Sequence, residues 1–531
     1  MWRKFRRNLF SGFFLFVFVM LVELVVVIGV QFWLEEILNL IIPSTDLNIE
    51  LIKIFVFVGI RFIEFIAAVV VFFKVLNKQE DPEFKIAWLV GIFILPLFVL
   101  TLYFIFGNHG LTTKEKRIVD VSKASYIPYF KMELRKEDKD FSDGLNESNG
   151  VFRYLRNVCT LGVHAHNRVT YYKTGEEFFP AFVESLKLAK EFIFIEFFII
   201  TDGKEWSAVQ EVLIQKAQEG VEVRIVYDDL GCSGTISPRT PKKLAKYGIK
   251  CYKFHPFRPF LHGSYNNRDH RKIVIIDHQM AFTGGINLAD EYANEIVRFG
   301  YWKDTMIKIE GSAINNLITT FLQNYDLCSK EPSNYDKYLD YEYPKYEDDQ
   351  GYICPFGDGP GGIDDALIGE QTYINILNFA RHRVDISTPY LVPTYKLMDA
   401  MRNAALRGVQ VNLIVPGIPD KKLVYLVAKS NFRFLLDAGV NIYIYTPGFN
   451  HMKSALADDQ MAFVGTINFD FRSLVHHFEC GALLYRNNCM KDLREDFDQM
   501  ISVSKKVPKD FKLGFWARMI CGVIKLLTPL L

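Results

Sequence analysis

The sequence predicts an α/β protein: two tandem α/β/α domains related by a pseudo-twofold axis, preceded by N-terminal transmembrane helices. Three observations predict this. Long apolar runs crowd the chain before residue 110, strand-like runs alternate with helical patterns after about residue 150, and one polar pattern occurs twice, about 180 residues apart.

The membrane region is assigned to residues 1–110. Leu9 to Trp33 has Glu23 and Gln31 as its only strongly polar members, and about 20 apolar residues already span a bilayer. Arg3, Lys4, Arg6 and Arg7 precede it, but its apolar core is too long for a signal peptide and no A-x-A-like site follows, so it reads as a retained anchor. Ile54 to Phe73 and Ile86 to Phe106 are two further spans, which makes the protein multi-pass. Arg61 and Glu64 sit at i, i+3 in the first of these and are expected to pair. At the other end, Leu513 to Leu531 is apolar but carries Trp516, Arg518 and Lys525, the pattern of an interfacial helix.

A chain of 531 residues, 50% apolar, is long enough for several cores. Its 62 basic and 61 acidic residues leave +1 overall, without the basic surplus of a nucleic-acid binder, so no nucleic-acid partner is expected. Eight scattered cysteines form no C-x-x-C pair and predict no metal or redox site. Residues 111–150 read as a linker, 151–331 as the first domain, 332–362 as a second linker rich in Tyr, Asp, Pro and Gly, and 363–505 as the second domain. Each domain repeats one order. Strand Phe192 to Ile200, a helix around Ser207 to Glu219, Gly220 and strand Val221 to Tyr227 match strand Val384 to Leu391, a helix ending near Arg407, Gly408 and strand Val409 to Val415.

The repeated pattern is H-x-K-x-x-x-x-D, as His270, Lys272 and Asp277 and again as His451, Lys453 and Asp458. Each copy is followed at the same distance by a second segment, Gly284-Gly285-Ile286-Asn287 or Gly465-Thr466-Ile467-Asn468. Residues i and i+2 of a strand share a face, so each His is a neighbour of its Lys. Met280 to Thr283 and Met461 to Val464 form return strands that bring Gly285, Thr466, Asn287 and Asn468 back towards the histidines. Two such hairpins facing each other would surround one phosphodiester, with the Lys and Asn side chains stabilising its developing charge. One histidine attacks phosphorus while the other serves the alcohols as acid and base, and no metal is required. A carboxylate behind each imidazole would fix its tautomer; Asp277 and Asp458 are candidates, and so are Asp304 and Glu479. Glu196, inside an apolar strand, is a further carboxylate that needs a partner or a site. His164-Ala165-His166 lacks nearby carboxylate or cysteine ligands and reads as a surface or cleft pair rather than a metal clasp, and His476-His477 is a similarly weak signal.

These motifs resemble the phospholipase D superfamily, and within it the bacterial cardiolipin synthases. Asn267 to Asp277, Tyr301-Trp302-Lys303-Asp304-Thr305, Pro389-Tyr390, Phe469-Asp470-Phe471-Arg472-Ser473 and Phe478-Glu479 carry the resemblance, which runs from about residue 50 to the C terminus. The family begins with a helical hairpin matching the second and third spans, so Leu9 to Trp33 is an addition. The resemblance implies an enzyme of the bacterial cell membrane, with phosphatidylglycerol and membrane lipids as partners and no cofactor. It would convert two phosphatidylglycerol molecules into cardiolipin and glycerol through a phosphatidyl-histidine, with His270 as nucleophile and His451 as acid and base. Hydrolysis, or transfer to another acceptor such as phosphatidylethanolamine, would use the same residues.

Overall fold

The computed structural model describes residues 47–78, 82–107, 110–144, 149–256, 267–360 and 367–527, with a few isolated positions before 47. The expected span Leu9 to Trp33 lies outside the described residues. The chain divides into two units, which are described separately.

In the first unit, helix Leu47–Asn77 contains a 27-residue stretch, Leu51–Asn77, long and apolar enough to cross a membrane. At 1.5 Å per residue that is about 40 Å, more than the roughly 30 Å hydrocarbon layer. Its Arg61 donates to Glu64 at 2.7 Å, the expected pairing. The expected third span is not one helix. It breaks at Leu95 into Pro82–Ile94 and Pro96–Phe106, of 13 and 11 residues, because Pro96 has no N–H for the helical ladder and takes the first position of a new helix. Val71, Val75, Trp88, Ile92 and Tyr103 pack these three helices together.

The second unit holds two large sheets and two short two-stranded ones. The first runs in the order Arg168–Tyr172, Met306–Glu310, Met280–Gly284, Lys272–Ile276, Phe192–Phe197, Glu222–Asp228, Lys250–Phe254. In the second, Glu479–Tyr485, Met461–Gly465, Ser454–Ala457, Arg383–Ser387, Gln410–Pro416 and Asn441–Tyr445 follow in the matching order. Each hairpin thus lies beside a parallel β-α-β run, whose strands are buried almost from end to end because both faces are covered. Thr174 and Thr394 cap the helices Gly175–Lys187 and Tyr395–Leu406 through their side-chain oxygens.

Two expected linkers are structural instead. Within 332–362, Tyr352–Asp358 is a buried strand paired with Glu479–Tyr485, and His164–Ala165 from the first half adds to its far edge. Within 111–150, Thr113–Gly144 is a helix that buries Val119, Ser122, Tyr126 and Phe130. Ser122 bonds Asp326 and Tyr126 receives Gln323, both on helix Ile314–Ser329. That helix is buried from Ile314 to Asp326 on every side; from it Asn316 donates to Gly162 O and Pro355 O, and Thr320 O accepts from Arg271. A helix covered all round belongs inside a core, and this one ties the two sheets together.

Candidate active site

Lys272–Ile276 pairs antiparallel with Met280–Gly284, and Ser454–Ala457 with Met461–Gly465. The tight turns put Asp277 and Asp458 at positive φ, 51° in each. Both hairpins are buried, which fixes the polar residues at their mouths.

Each histidine is held by the opposite half. His270 N–H donates to Phe478 O at 2.8 Å, and its Nδ1 lies 2.9 Å from an Oε of the next residue, Glu479. His451 repeats this with exchanged partners: N–H to Lys303 O at 2.7 Å, and Nδ1 2.6 Å from Asp304 Oδ2. Both carboxylates are fully buried. A carboxylate accepting from Nδ1–H leaves the Nε2 lone pair for chemistry. Lys453 Nζ also lies 2.6 Å from His451 Nδ1, and one nitrogen cannot both donate to Asp304 and accept from Lys453. The carboxylate holds the proton-bearing nitrogen, while Lys453 donates to His451 O and stands 3.7 Å from Asp304. Lys272 donates to His270 O at 2.5 Å.

The orienting carboxylates shape the neighbouring backbone. A Cβ at Gly285 would fall 2.0 Å from Asp304 Oδ1, so only glycine fits. The equivalent Thr466 donates its hydroxyl to Glu479, as does Ser473. Gly285 and Thr466, expected at the phosphate, each lie against one of the orienting carboxylates.

Burial pushes His270 well below the ordinary imidazole range, assisted by Lys272, Lys453 and His451. Burial and Lys453 push His451 down to about 4, against the opposing pull of Asp304. Lys272 falls to about 8 and Lys453 to about 7, both through burial, with the carboxylates opposing. This arrangement of bases and half-neutral ammoniums is poised to take an anion.

The other expected site residues have these partners in the structure. Asp277 accepts N–H groups of Lys190, Glu191 and Phe192 at 2.7–2.9 Å, and Asp458 those of Arg381, His382 and Arg383 at 2.6–2.9 Å. They tie the turn ends of the hairpins, seven positions and so about 23 Å of extended chain from the histidines, and orient neither imidazole. Asn287 spends its amide on Ile199 N–H and Tyr292 OH, whereas Asn468 Oδ1 is buried with no hydrogen-bond partner among the described residues. Glu196 accepts from Asn324 at 2.7 Å and adjoins Asp269 and Arg271; burial raises its pKa, and it orients neither histidine. His164 bonds Ser312 and Asn316, a structural role.

Of three surrounding groups, sequence reasoning weighed His477 only as a weak signal and missed Tyr292 and Trp302. His477 lies with its ring centroid 5.7 Å from that of His270, and a nitrogen of each and an oxygen of Glu479 fall within 4.8 Å of one another. Tyr292 and Trp302 wall His451 at 5.5 and 5.7 Å. Trp302 stood in the recognised segment next to Lys303, the one available signal.

The family described as "Cardiolipin synthase, PLD-like domain" matches residues 182–323 and 373–501, one stretch in each half, and "Phospholipase D-nuclease N-terminal" matches 65–108. A Streptococcus mutans serotype c protein, described as uncharacterized, is 41% identical over 465 residues, covering 86% of this chain and 98% of that one. Cardiolipin synthase 2 of Bacillus anthracis is 32% identical, covering 86% of this chain and 88% of its own. The crystal structure of phosphatidylserine synthase from Haemophilus influenzae Rd KW20 superposes with a TM-score of 0.54 at 15% identity over 72% of this chain and 98% of that one, a likeness of fold. With both halves matched and a relative above 30% identity over most of its length, the chain belongs to the cardiolipin synthase family of phospholipase D-like proteins.

Proposed function

We propose that the protein is a phosphatidyltransferase that makes cardiolipin and glycerol from two molecules of phosphatidylglycerol. The observation that carries this reading is the crossed pair, His270 with Glu479 and His451 with Asp304, beside two buried lysines. An entering phosphodiester raises the proton affinity of the lysines and of both imidazoles, because its negative charge replaces lost solvation. His270 Nε2 attacks phosphorus, a P–N bond forms, and the P–O bond to the glycerol headgroup breaks. His451, protonated in that complex, gives its proton to the departing glycerol oxygen. It then takes the proton of a hydroxyl on a second phosphatidylglycerol, whose oxygen displaces His270 from phosphorus. Lys272 and Lys453 neutralise the charge on the non-bridging oxygens, and Asn468 with its unpaired Oδ1 is the asparagine placed to reorganise around substrate.

The apolar helix Leu51–Asn77 and the match over 65–108 support a multi-pass protein of the bacterial cell membrane. Cardiolipin synthesis is tested with purified protein and phosphatidylglycerol as the only lipid. Cardiolipin and free glycerol are the expected products, and His270→Ala or His451→Ala abolishes both. Phosphatidic acid as the sole product overturns transfer in favour of hydrolysis, and a mixed product on adding phosphatidylethanolamine widens the acceptor range.

A further inference from the structure

The two histidines are reached through a rim whose surface chemistry the reaction does not explain. On one side, the loop after Asn294 exposes Ile296 and Val297, the latter 79% accessible, beside exposed Arg298. The same loop runs inward through Phe299, which packs on Trp302, and Trp302 lies against His451. A Cβ on Gly300 would touch Ile418 Cδ1 at 3.1 Å, so this loop adjoins a second exposed apolar residue. From Ile418 the chain passes to exposed Lys421, Lys422 and Leu423 at the start of helix Lys422–Leu436. Lys421 is close enough to the centre for its charge to act on His270.

One turn into that helix, Leu426 O accepts from Cys521 Sγ at 3.6 Å, which seats helix Phe515–Leu527 beside it. Cys521 is buried, while Phe515, Trp516, Met519 and Ile520 are exposed, Trp516 being 74% accessible. Such contiguous apolar area is costly in water and marks an interaction surface. Its charge says what covers it. Between Val503 and Leu527 stand Lys505, Lys506, Lys509, Lys512, Arg518 and Lys525 against the single acid Asp510, in a chain that is otherwise nearly neutral. Apolar side chains ringed by lysine and arginine suit the interface of a bilayer bearing anionic headgroups. A second protein copy would have to bury those like charges against their own equivalents.

We infer that the Ile296–Val297 loop, Ile418 with Leu423, and the exposed side chains Phe515, Trp516, Met519 and Ile520 form a docking face for an anionic lipid surface, at the mouth of the His270 and His451 site. Membrane anchoring by the N-terminal unit holds the protein near lipid; this face admits lipid to the centre. The inference rests on the lipid-substrate reading, and its test separates the two.

The full chain carrying Val297→Glu and Ile520→Glu is assayed in detergent mixed micelles while the mole fraction of phosphatidylglycerol is varied. The mole fraction giving half-maximal turnover is expected to rise about tenfold, with turnover at saturation and turnover of a short-chain monomeric phosphatidylglycerol unchanged. Added salt is expected to shift the wild type in the same direction. Independently of activity, the full chain is placed in vesicles containing brominated phosphatidylglycerol. The fluorescence difference between wild type and Trp516→Phe is expected to be quenched. Quenching without cardiolipin formation would retain the docking face and remove the proposed reaction. An unshifted mole-fraction dependence, equal loss on monomeric substrate, an unquenched Trp516, or a dimer that the glutamates convert to monomer each overturns the docking face.

Discussion

At the scale of residues, the site depends on which carboxylate serves which group. Glu479 and Asp304 each fix an imidazole, so Glu479→Gln and Asp304→Asn are expected to lower kcat by about 10²–10⁴-fold with little change in KM. Asp277 instead satisfies three backbone N–H groups, so Asp277→Ala is expected to cost about 1–3 kcal/mol of stability while each folded molecule keeps its kcat. Denaturant titration alongside steady-state kinetics separates these outcomes.

The lysines make a second residue-scale prediction. Burial pushes Lys453 down to about 7, so near pH 8 it is largely neutral, and an anion that restores its charge must draw a proton from solution. Calorimetry of a phosphate analogue in buffers of different ionisation enthalpy is expected to report proton uptake at pH 8 that Lys453→Met diminishes. The same shift bears on folding. The unfolded chain binds more protons than the folded one between the two pKa values, so Lys453 makes the empty protein more stable as pH rises from about 7 towards 10.5. His451 does so from about 4 to 6.5, so stability from that source is lost as pH falls through this window.

At the scale of elements, period and punctuation made the strands legible. The expected runs Val221 to Tyr227 and Val409 to Val415 are observed as Glu222–Asp228 and Gln410–Pro416. Phe192 to Ile200 stops short at Phe197, because Ile199 N–H turns to Asn287 instead of continuing the ladder. Helix Thr113–Gly144 was legible only in hindsight, since its stripe Val119, Ser122, Tyr126 and Phe130 hides among many charges. If that helix is part of the fold and not a tether, Phe130→Ala is expected to cost about 3–5 kcal/mol, read from the urea midpoint of the purified chain.

At the scale of the molecule, the crossed histidine–carboxylate pairs make the two halves one site. Chains divided between the halves are therefore expected to be inactive singly and to regain phosphatidylglycerol turnover when co-expressed and co-purified. Activity from either fragment alone would contradict the crossed arrangement. Tyr352–Asp358 gives a physical limit on where to divide, because that strand belongs to the second sheet.

The sequence by itself determined the duplication, the hairpins and the identity of both histidines and both lysines. These follow from spacing within a strand and its turn, where side-chain direction is set by local backbone geometry. Only the tertiary structure decided that Glu479 and Asp304, at 209 and 147 positions from their histidines, supply the orienting carboxylates, and that Asp277 and Asp458 tie hairpin ends. No local rule links residues that far apart. The buried helix between the sheets and the exchange of partners across them bring those groups together, and packing across the two halves chooses among carboxylates that the motif leaves equivalent.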